Sequence, residues 1–330
     1  VVALVSPARF GNALGADVQE EYRGRFERWG DRSSVRVKPA PVLQDGDGEY
    51  FFSPELVPAA AHPLVAGLGD DAVRRLLVHR LYDYLTFTVV LEQVAVMPVS
   101  TLMSQGRLGV ALPAGLRADA FKITTDEAWH AQFSFDLMDQ VARRTGVPVR
   151  LPERPAFLRG LAEIGARVDP DLRGLDEVVF TIVSETLISA LLSDLPKDVR
   201  LPAAVRESVA DHAADEGRHH ACFADLLTRV WPALSRDQRR RMGPWVPAFV
   251  RTFLEPDRRA LAFALHEVGL PPDGIDQVLA EAYPDDAVRR AVADGARATV
   301  RHFARAGALD EPGTREAFLA SGLIDERYPL

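Results

Sequence analysis

The stretch that decides the fold is His212-Ala213-Ala214-Asp215-Glu216-Gly217-Arg218-His219. On a helix, the three-residue step from Glu216 to His219 leaves the two side chains roughly 60° apart and one turn displaced, so a carboxylate and an imidazole can reach one point. His212, four residues before Glu216 and seven before His219, falls within about 40° of both. The string recurs upstream, without the leading histidine, as Asp126-Glu127-Ala128-Trp129-His130. Both copies lie in segments with apolar spacing of three and four, which predicts long helices over 116–144 and 202–231.

Two more carboxylates interrupt apolar runs. Glu92 sits inside Val89-Val90-Leu91-Glu92-Gln93-Val94-Ala95-Val96-Met97, and Glu185 inside Val179-Phe180-Thr181-Ile182-Val183-Ser184-Glu185-Thr186-Leu187-Ile188. The first run belongs to a helix predicted over 70–97, opened by Asp70-Asp71 and ended or kinked by Pro98. The second belongs to a helix over 175–195 that stops at Pro196. A charged Glu on a helix buried on most sides is costly unless it is paired or bound to metal. Four helices therefore supply Glu, Glu-x-x-His, Glu and Glu-x-x-His, in that order. Taken singly, each signal has a plainer reading: a solvated helix face for one Glu-x-x-His, an edge residue reaching water for Glu92 or Glu185, a surface or satisfied core histidine for His212. Together they predict a metal site made by Glu92, Glu127, His130, Glu185, His212, Glu216 and His219. Metal-bound histidines usually donate their other ring N–H to a carboxylate. Asp126 and Asp215 are expected to orient the imidazole of the opposite motif, with Arg218 bracing them.

The remainder reads as one domain over 1–330. Residues 1–65 form an irregular, Pro- and Gly-rich arm with one short helical pattern over 19–29. The bundle spans 70–231, with a shorter helix over 154–168. Residues 232–306 read as accessory helices punctuated by prolines, Gly307 as a helix stop, and 308–330 as a tail. No repeat of 20–50 residues is visible. A hydrophobic fraction of 47% supports a large core. The net charge is −8, with no basic stripe carrying interleaved aromatics, which argues against nucleic acid. No uncharged apolar run reaches 18 residues, so no membrane partner is expected. The single cysteine, Cys222, excludes an internal disulfide and thiolate metal sites, and reads as a small buried side chain. The N-terminus lacks a basic-then-apolar leader, and a cytoplasmic location is expected.

The ligand order is that of the ferritin-like di-iron and di-manganese carboxylate proteins, which gives the expected fold class: all-α, a ferritin-like four-helix bundle with additional C-terminal helices and an irregular N-terminal arm. With the added histidine on the last ligand helix, the pattern resembles the di-iron arylamine N-oxygenase family at Glu92, Glu127, His130, Glu185, His212, Glu216 and His219. The resemblance implies two iron ions per chain, O2 as co-substrate, an external electron donor (a reductase or ferredoxin), a homodimer, and oxidation of an amine nitrogen to hydroxylamine, nitroso or nitro in specialised-metabolite biosynthesis. A shell of four carboxylates and three imidazoles suits iron, although manganese is not excluded by ligand type. One departure stands out. Family members that act on a small benzoate hold its carboxylate with polar groups on the first and third ligand helices, whereas the corresponding faces here are less polar. The expected pocket is Tyr84, Phe87, Thr88, Leu91, Phe133, Ser189 and Leu192, with simple core packing as the plainer role of each. A larger, apolar or carrier-bound substrate, with C–H hydroxylation or desaturation, is the alternative. A non-catalytic metal-binding or iron-storage protein is the third reading.

Overall fold

The computed structural model describes residues 22–44, 46, 48–151, 154–191 and 194–328. Four long helices form its centre: α1 (Asp70–Leu91), α2 (Ala114–Thr145), α4 (Leu175–Leu191) and α5 (Ala203–Ala233), with the shorter α3 (Ala156–Arg167) between α2 and α4. α1 packs on α2, α4 on α5, and α2 on α5. The fold is all-α and of the ferritin-like type, and no strand occurs among the described residues.

The helix ends follow local chemistry. Asp70 and Asp71 occupy the first turn of α1, where carboxylates meet the positive end of the helix dipole. α2 stops at Gly146, whose φ of 71° closes the last turn in the left-handed region. Pro232 falls within the last turn of α5, so the helix runs two residues past Trp231 before Leu234 leaves the helical region.

Pro98 does not end the first helix. Proline lacks an N–H, and its ring clashes with the carbonyl four residues back in a regular helix. Here the residues before it, Glu92–Val96, form a π-turn in which the Met97 N–H reaches the Glu92 carbonyl five residues back. The wider turn accommodates the proline, and the helix resumes over Met97–Ser104. The whole rod Asp70–Ser104 has the length and hydropathy of a membrane span. Leu76, Leu81, Leu91, Val96 and Met103 along it are nonetheless fully buried in the protein core.

Beyond α5 come α6 (Arg236–Met242), α7 (Val246–Leu254), α8 (Arg258–Glu267), α9 (Pro272–Ala282), α10 (Asp285–Arg305) and α11 (Pro312–Ala320). α7 and α10 lie against α4, and α8 lies against α1. The expected tail therefore contains a helix, with Phe318 fully buried. Gly307, at φ 77°, follows the end of α10. The helical pattern expected over 19–29 is displaced: residues 22–28 are not helical, and single helical turns occur at Trp29–Arg32 and Ser34–Val37. Residues 19–21 lie outside the described part. The displacement has a tertiary cause, because this segment is pinned by contacts to α2 and α5 rather than by its own periodicity.

Candidate metal centre

The π-turn that follows α1, together with α2, α4 and α5, brings all seven predicted side chains to one interior region. Glu92, Glu127, His130, Glu185, Glu216 and His219 are completely buried, and His212 is 2% exposed. Their donor atoms fall into two groups, each with every donor within 4.8 Å of the others. One comprises Glu92, Glu127, His130, His212 and Glu216; the other comprises Glu127, Glu185, Glu216 and His219. Glu127 and Glu216 belong to both, which is the layout of two adjacent cation positions with two shared carboxylates.

The two Glu-x-x-His pairs behave alike. His130 Nδ1 lies 2.8 Å from Glu127 Oε2 and 3.6 Å from Glu216 Oε1. His219 Nδ1 lies 2.8 Å from Glu127 Oε1 and 3.3 Å from Glu216 Oε1. Each imidazole turns its other nitrogen outward. His130 Nε2–H donates to Asp215 Oδ2 at 3.2 Å, and His219 Nε2–H donates to Asp126 Oδ2 at 3.2 Å. Each Asp, one residue before its own Glu, thus meets the histidine of the opposite motif. Arg218 donates to Asp215. His212 faces the cluster through Nε2, 3.1 Å from Glu216 Oε1 and 3.6 Å from Glu92 Oε1.

The N-terminal arm completes the shell. Trp29 Nε1–H and Ser33 Oγ–H donate to Asp126 Oδ1 at 2.7 and 2.5 Å, and Ser34 Oγ–H donates to Asp215 Oδ2 at 2.7 Å. Phe26 stacks on His219 with ring centres 5.8 Å apart. Sequence reasoning missed these arm residues. Trp29, Ser33 and Ser34 lie 93–181 positions from their hydrogen-bond partners, and no spacing rule links them.

The electrostatics are those of a site made for cations. Both carboxylate oxygens of Glu92 and of Glu185, and one each of Glu127 and Glu216, are buried without a hydrogen-bond partner. His219 Nδ1 is likewise unpartnered despite its 2.8 Å approach to Glu127, because the two atoms are not aligned for a hydrogen bond. Buried orphan groups are rare in folded proteins. Here they converge on shared space and lie within ligand distance of one another. Burial, then the facing Glu127 charge, pushes Glu92 up to about 8. Burial and the Glu216 charge raise Glu185 well above the carboxylate range. Burial opposes charge on Glu127 and Glu216 too, but the facing histidines together, His219 with His130 for Glu127 and with His212 for Glu216, outweigh it and hold both below their ordinary values. Burial also opposes charge on His130, yet the Asp215 and Glu127 hydrogen bonds carry it up to about 10. An all oxygen-and-nitrogen donor set of this charge fits two divalent iron ions. Four carboxylates match the four positive charges.

A cavity of about 350 Å3 is walled by Phe52, Tyr84, Phe87, Phe157, Phe253 and Tyr283, and none of the seven cluster residues lines it. Arg80 and Asp83, also in its wall, form an ion pair with each other. Tyr84 is the link between the two regions: it lines the cavity, and its buried hydroxyl feels the charges of Glu216 and Glu92. Of the predicted pocket residues, Tyr84 and Phe87 line this cavity. Thr88 and Leu91 are buried outside it, and Phe133 packs edge-on against His130 and His212. The side chains of Ser189 and Leu192 lie outside the described residues. Arg80 and Asp83 were accessible to sequence reasoning, four and one residues before Tyr84. Phe157 and Phe253 arrive from α3 and α7, and no pattern in the chain announces them.

A helical bundle that gathers four carboxylates and three imidazoles in its interior has the architecture of the carboxylate two-metal proteins. The profile of the family described as P-aminobenzoate N-oxygenase AurF matches residues 26–307, and this chain belongs to that family. A curated relative, 4-aminobenzoate N-oxygenase of Streptomyces thioluteus, is 24% identical over 299 residues, a span covering 87% of each chain.

Proposed function

We propose that this protein is a di-iron oxygenase that uses O2 to oxidise the nitrogen of an aromatic amine in a biosynthetic pathway for a specialised metabolite. The observation that carries the reading is the pair of donor groups sharing Glu127 and Glu216, in a chain of this family. Glu92, His130 and His212 would hold one iron, Glu185 and His219 the other, with Glu127 and Glu216 common to both. When bound and reduced, the iron pair supplies the activation of O2 that the protein's own side chains lack.

The chain's residues do the rest. Asp126 and Asp215 fix each histidine with its proton on Nε2, which leaves Nδ1 free to ligate. Phe26 and Phe133 pack against the imidazoles and keep bulk water away. The cavity would offer an aromatic ring the faces and edges of Phe87, Phe157 and Phe253, and Tyr84, whose hydroxyl feels the charges of Glu216 and Glu92, also lines it. Arg80 is engaged by Asp83, so a substrate carboxylate would have to displace that pair to be held there. The balance of one oxidation round is amine, O2, two electrons and two protons in, hydroxylamine and water out. The electrons come from an external donor.

A homodimer is supported by the outer face of α2. Phe121 and Phe135 lie fourteen residues apart, close to four turns, and are 62% and 63% exposed on the same side.

The test is a screen of arylamines with reduced, iron-loaded protein under 18O2, read by mass spectrometry. One atom of 18O on nitrogen per round is expected. Oxygen placed on carbon instead, at two irons per chain, would overturn the nitrogen assignment in favour of C–H hydroxylation. Uptake of many irons per chain into an assembled shell, with no product, would mean storage.

A further inference from the structure

The metal-cluster histidines have unequal routes to the surface. From His130 the hydrogen bonds run to Asp215 and end on Ser34 and Arg218. From His219 they run to Asp126 and then to an indole: Asp126 Oδ2 accepts from His219 Nε2 at 3.2 Å, and Asp126 Oδ1 accepts from Trp29 Nε1 at 2.7 Å. Trp29 is only half-buried, so one aromatic system joins solvent to a cluster side chain through two hydrogen bonds and one carboxylate. Structural bracing alone is already met by Ser33, which donates to the same Asp126 oxygen at 2.5 Å.

The chain around Trp29 is basic. Residues 22–38 carry Arg23, Arg25, Arg28, Arg32, Arg36 and Lys38 against Glu27 and Asp31. Six cations less two acids is +4, in a chain whose net charge is −8, so the remainder carries −12. Arg25 and Lys38 pair with Asp225 and Asp211, and Arg28 lies 3.9 Å from Asp31. Arg23, Arg32 and Arg36 are exposed and engage no carboxylate among the described residues, and the Arg36 guanidinium sits 5.6 Å over the Trp29 ring. A local basic field on an acidic protein attracts an acidic partner, and here the exposed arginines adjoin the one indole that is hydrogen-bonded to Asp126.

We propose that Trp29 and the arginines around it form the port at which an acidic one-electron carrier protein docks and passes electrons through Asp126 to His219. The proposal rests on the di-iron reading above. In each transfer the carrier loses one electron and one ferric ion becomes ferrous, and two transfers restore the reduced pair. The indole is neither consumed nor covalently changed; it supplies the aromatic bridge between the docked carrier and the hydrogen-bonded path.

The test uses the full chain loaded with iron and oxidised, mixed without O2 in a stopped-flow instrument. The probes are a reduced plant-type [2Fe–2S] ferredoxin, as the acidic carrier, and dithionite, as a small reductant. Loss of the ferric absorption is read, and iron is counted first. For Arg32→Glu combined with Arg36→Glu, the second-order rate with ferredoxin should fall about tenfold or more at low ionic strength, a gap that narrows as salt is added. For Trp29→Phe, ferredoxin should bind as to wild type while electron transfer at saturating carrier slows about tenfold. The arginine variant should keep two irons and the wild-type dithionite rate, and Trp29→Phe should be slowed much less with dithionite than with ferredoxin. Wild-type reduction by ferredoxin in both variants overturns the port. Equal slowing of Trp29→Phe with dithionite also overturns it, because Trp29 would then only be holding Asp126. If Trp29→Phe fails to fold, the arginine variant decides. Wild-type protein that takes up no iron overturns the di-iron reading, and the port with it, before any rate is measured.

Discussion

Glu92→Gln should make the iron-free protein more stable while making the iron-loaded protein less so. Glu92 is fully buried, its carboxylate oxygens have no hydrogen-bond partner, and burial with the Glu127 charge pushes it from 4.5 up to about 8. At pH 7 the folded iron-free protein therefore holds this carboxyl protonated, whereas the unfolded chain has it ionised. Taking up that proton over the roughly 2.5 pH units between 4.5 and 7 costs about 1.4 kcal/mol per unit, or about 3 kcal/mol. Glutamine is already neutral and nearly isosteric, so the substitution removes the cost. An unfolding entropy of about 2.1 cal/mol/K per residue gives about 0.7 kcal/mol/K for a chain of this length, so Tm should rise by about 4–5 °C. At pH 4.5 the unfolded carboxyl is itself half protonated, and the gain should shrink to about 1 °C or less. With iron the order reverses, because an amide brings no anionic oxygen to the ion. Calorimetry of chelator-treated and reconstituted protein at both pH values measures all four differences. An iron-free Glu92→Gln protein no more stable than wild type at pH 7, or one whose gain is the same at pH 4.5, refutes the idea that this carboxylate is kept at the expense of the fold for the sake of a cation.

Iron counting should separate the shared carboxylates from the others: Glu185→Ala is expected to retain about one iron per chain and Glu216→Ala almost none, and equal retention would remove the bridging assignment. Iron affinity should rise with pH, because Glu92 and His130, at about 8 and about 10, must lose protons to ligate. The iron-free protein should show the opposite trend. Both groups are raised above their unfolded values, so their contributions favour folding at low pH and are lost as pH rises, over about 4.5–8 for Glu92 and 6.5–10 for His130. A Tm of iron-free protein that climbs from pH 6.5 to 8 would contradict this. Phe121→Glu with Phe135→Glu should convert a dimer to monomer in light scattering, at unchanged iron content; an unchanged mass removes the α2 face from the interface.

The buried carboxylate–histidine cluster was legible because its chemistry fights the local pattern. Glu92 and Glu185 contradict the apolar runs that contain them, and the three-residue step of the two Glu-x-x-His strings matches a helix turn. The four long helices followed from periodicity to within a few residues at most ends. What escaped the sequence depends on contacts far along the chain. Trp29, Ser33 and Ser34 become part of the centre only because the arm crosses α2 and α5. The cavity walls supplied by Phe157 and Phe253 depend on how α3 and α7 pack. Of the two outcomes expected at Pro98, an end to the helix does not occur, for a local reason: the π-turn ahead of it absorbs the clash.

That π-turn holds one residue more than an ordinary turn would need, so the rod on its two sides is out of phase by about 100° relative to an unbroken α-helix. Removing Val94 would relax the chain into a regular spiral and bring the Gln93 carbonyl to the position four residues before Pro98, where the ring would meet it. The rod could then seat Glu92 or Val99 and Met103 in their present places, but not both. A shortened protein that kept two irons and wild-type melting would show that the surplus residue is dispensable. Loss of one or the other would tell which half of the rod the rest of the molecule grips harder.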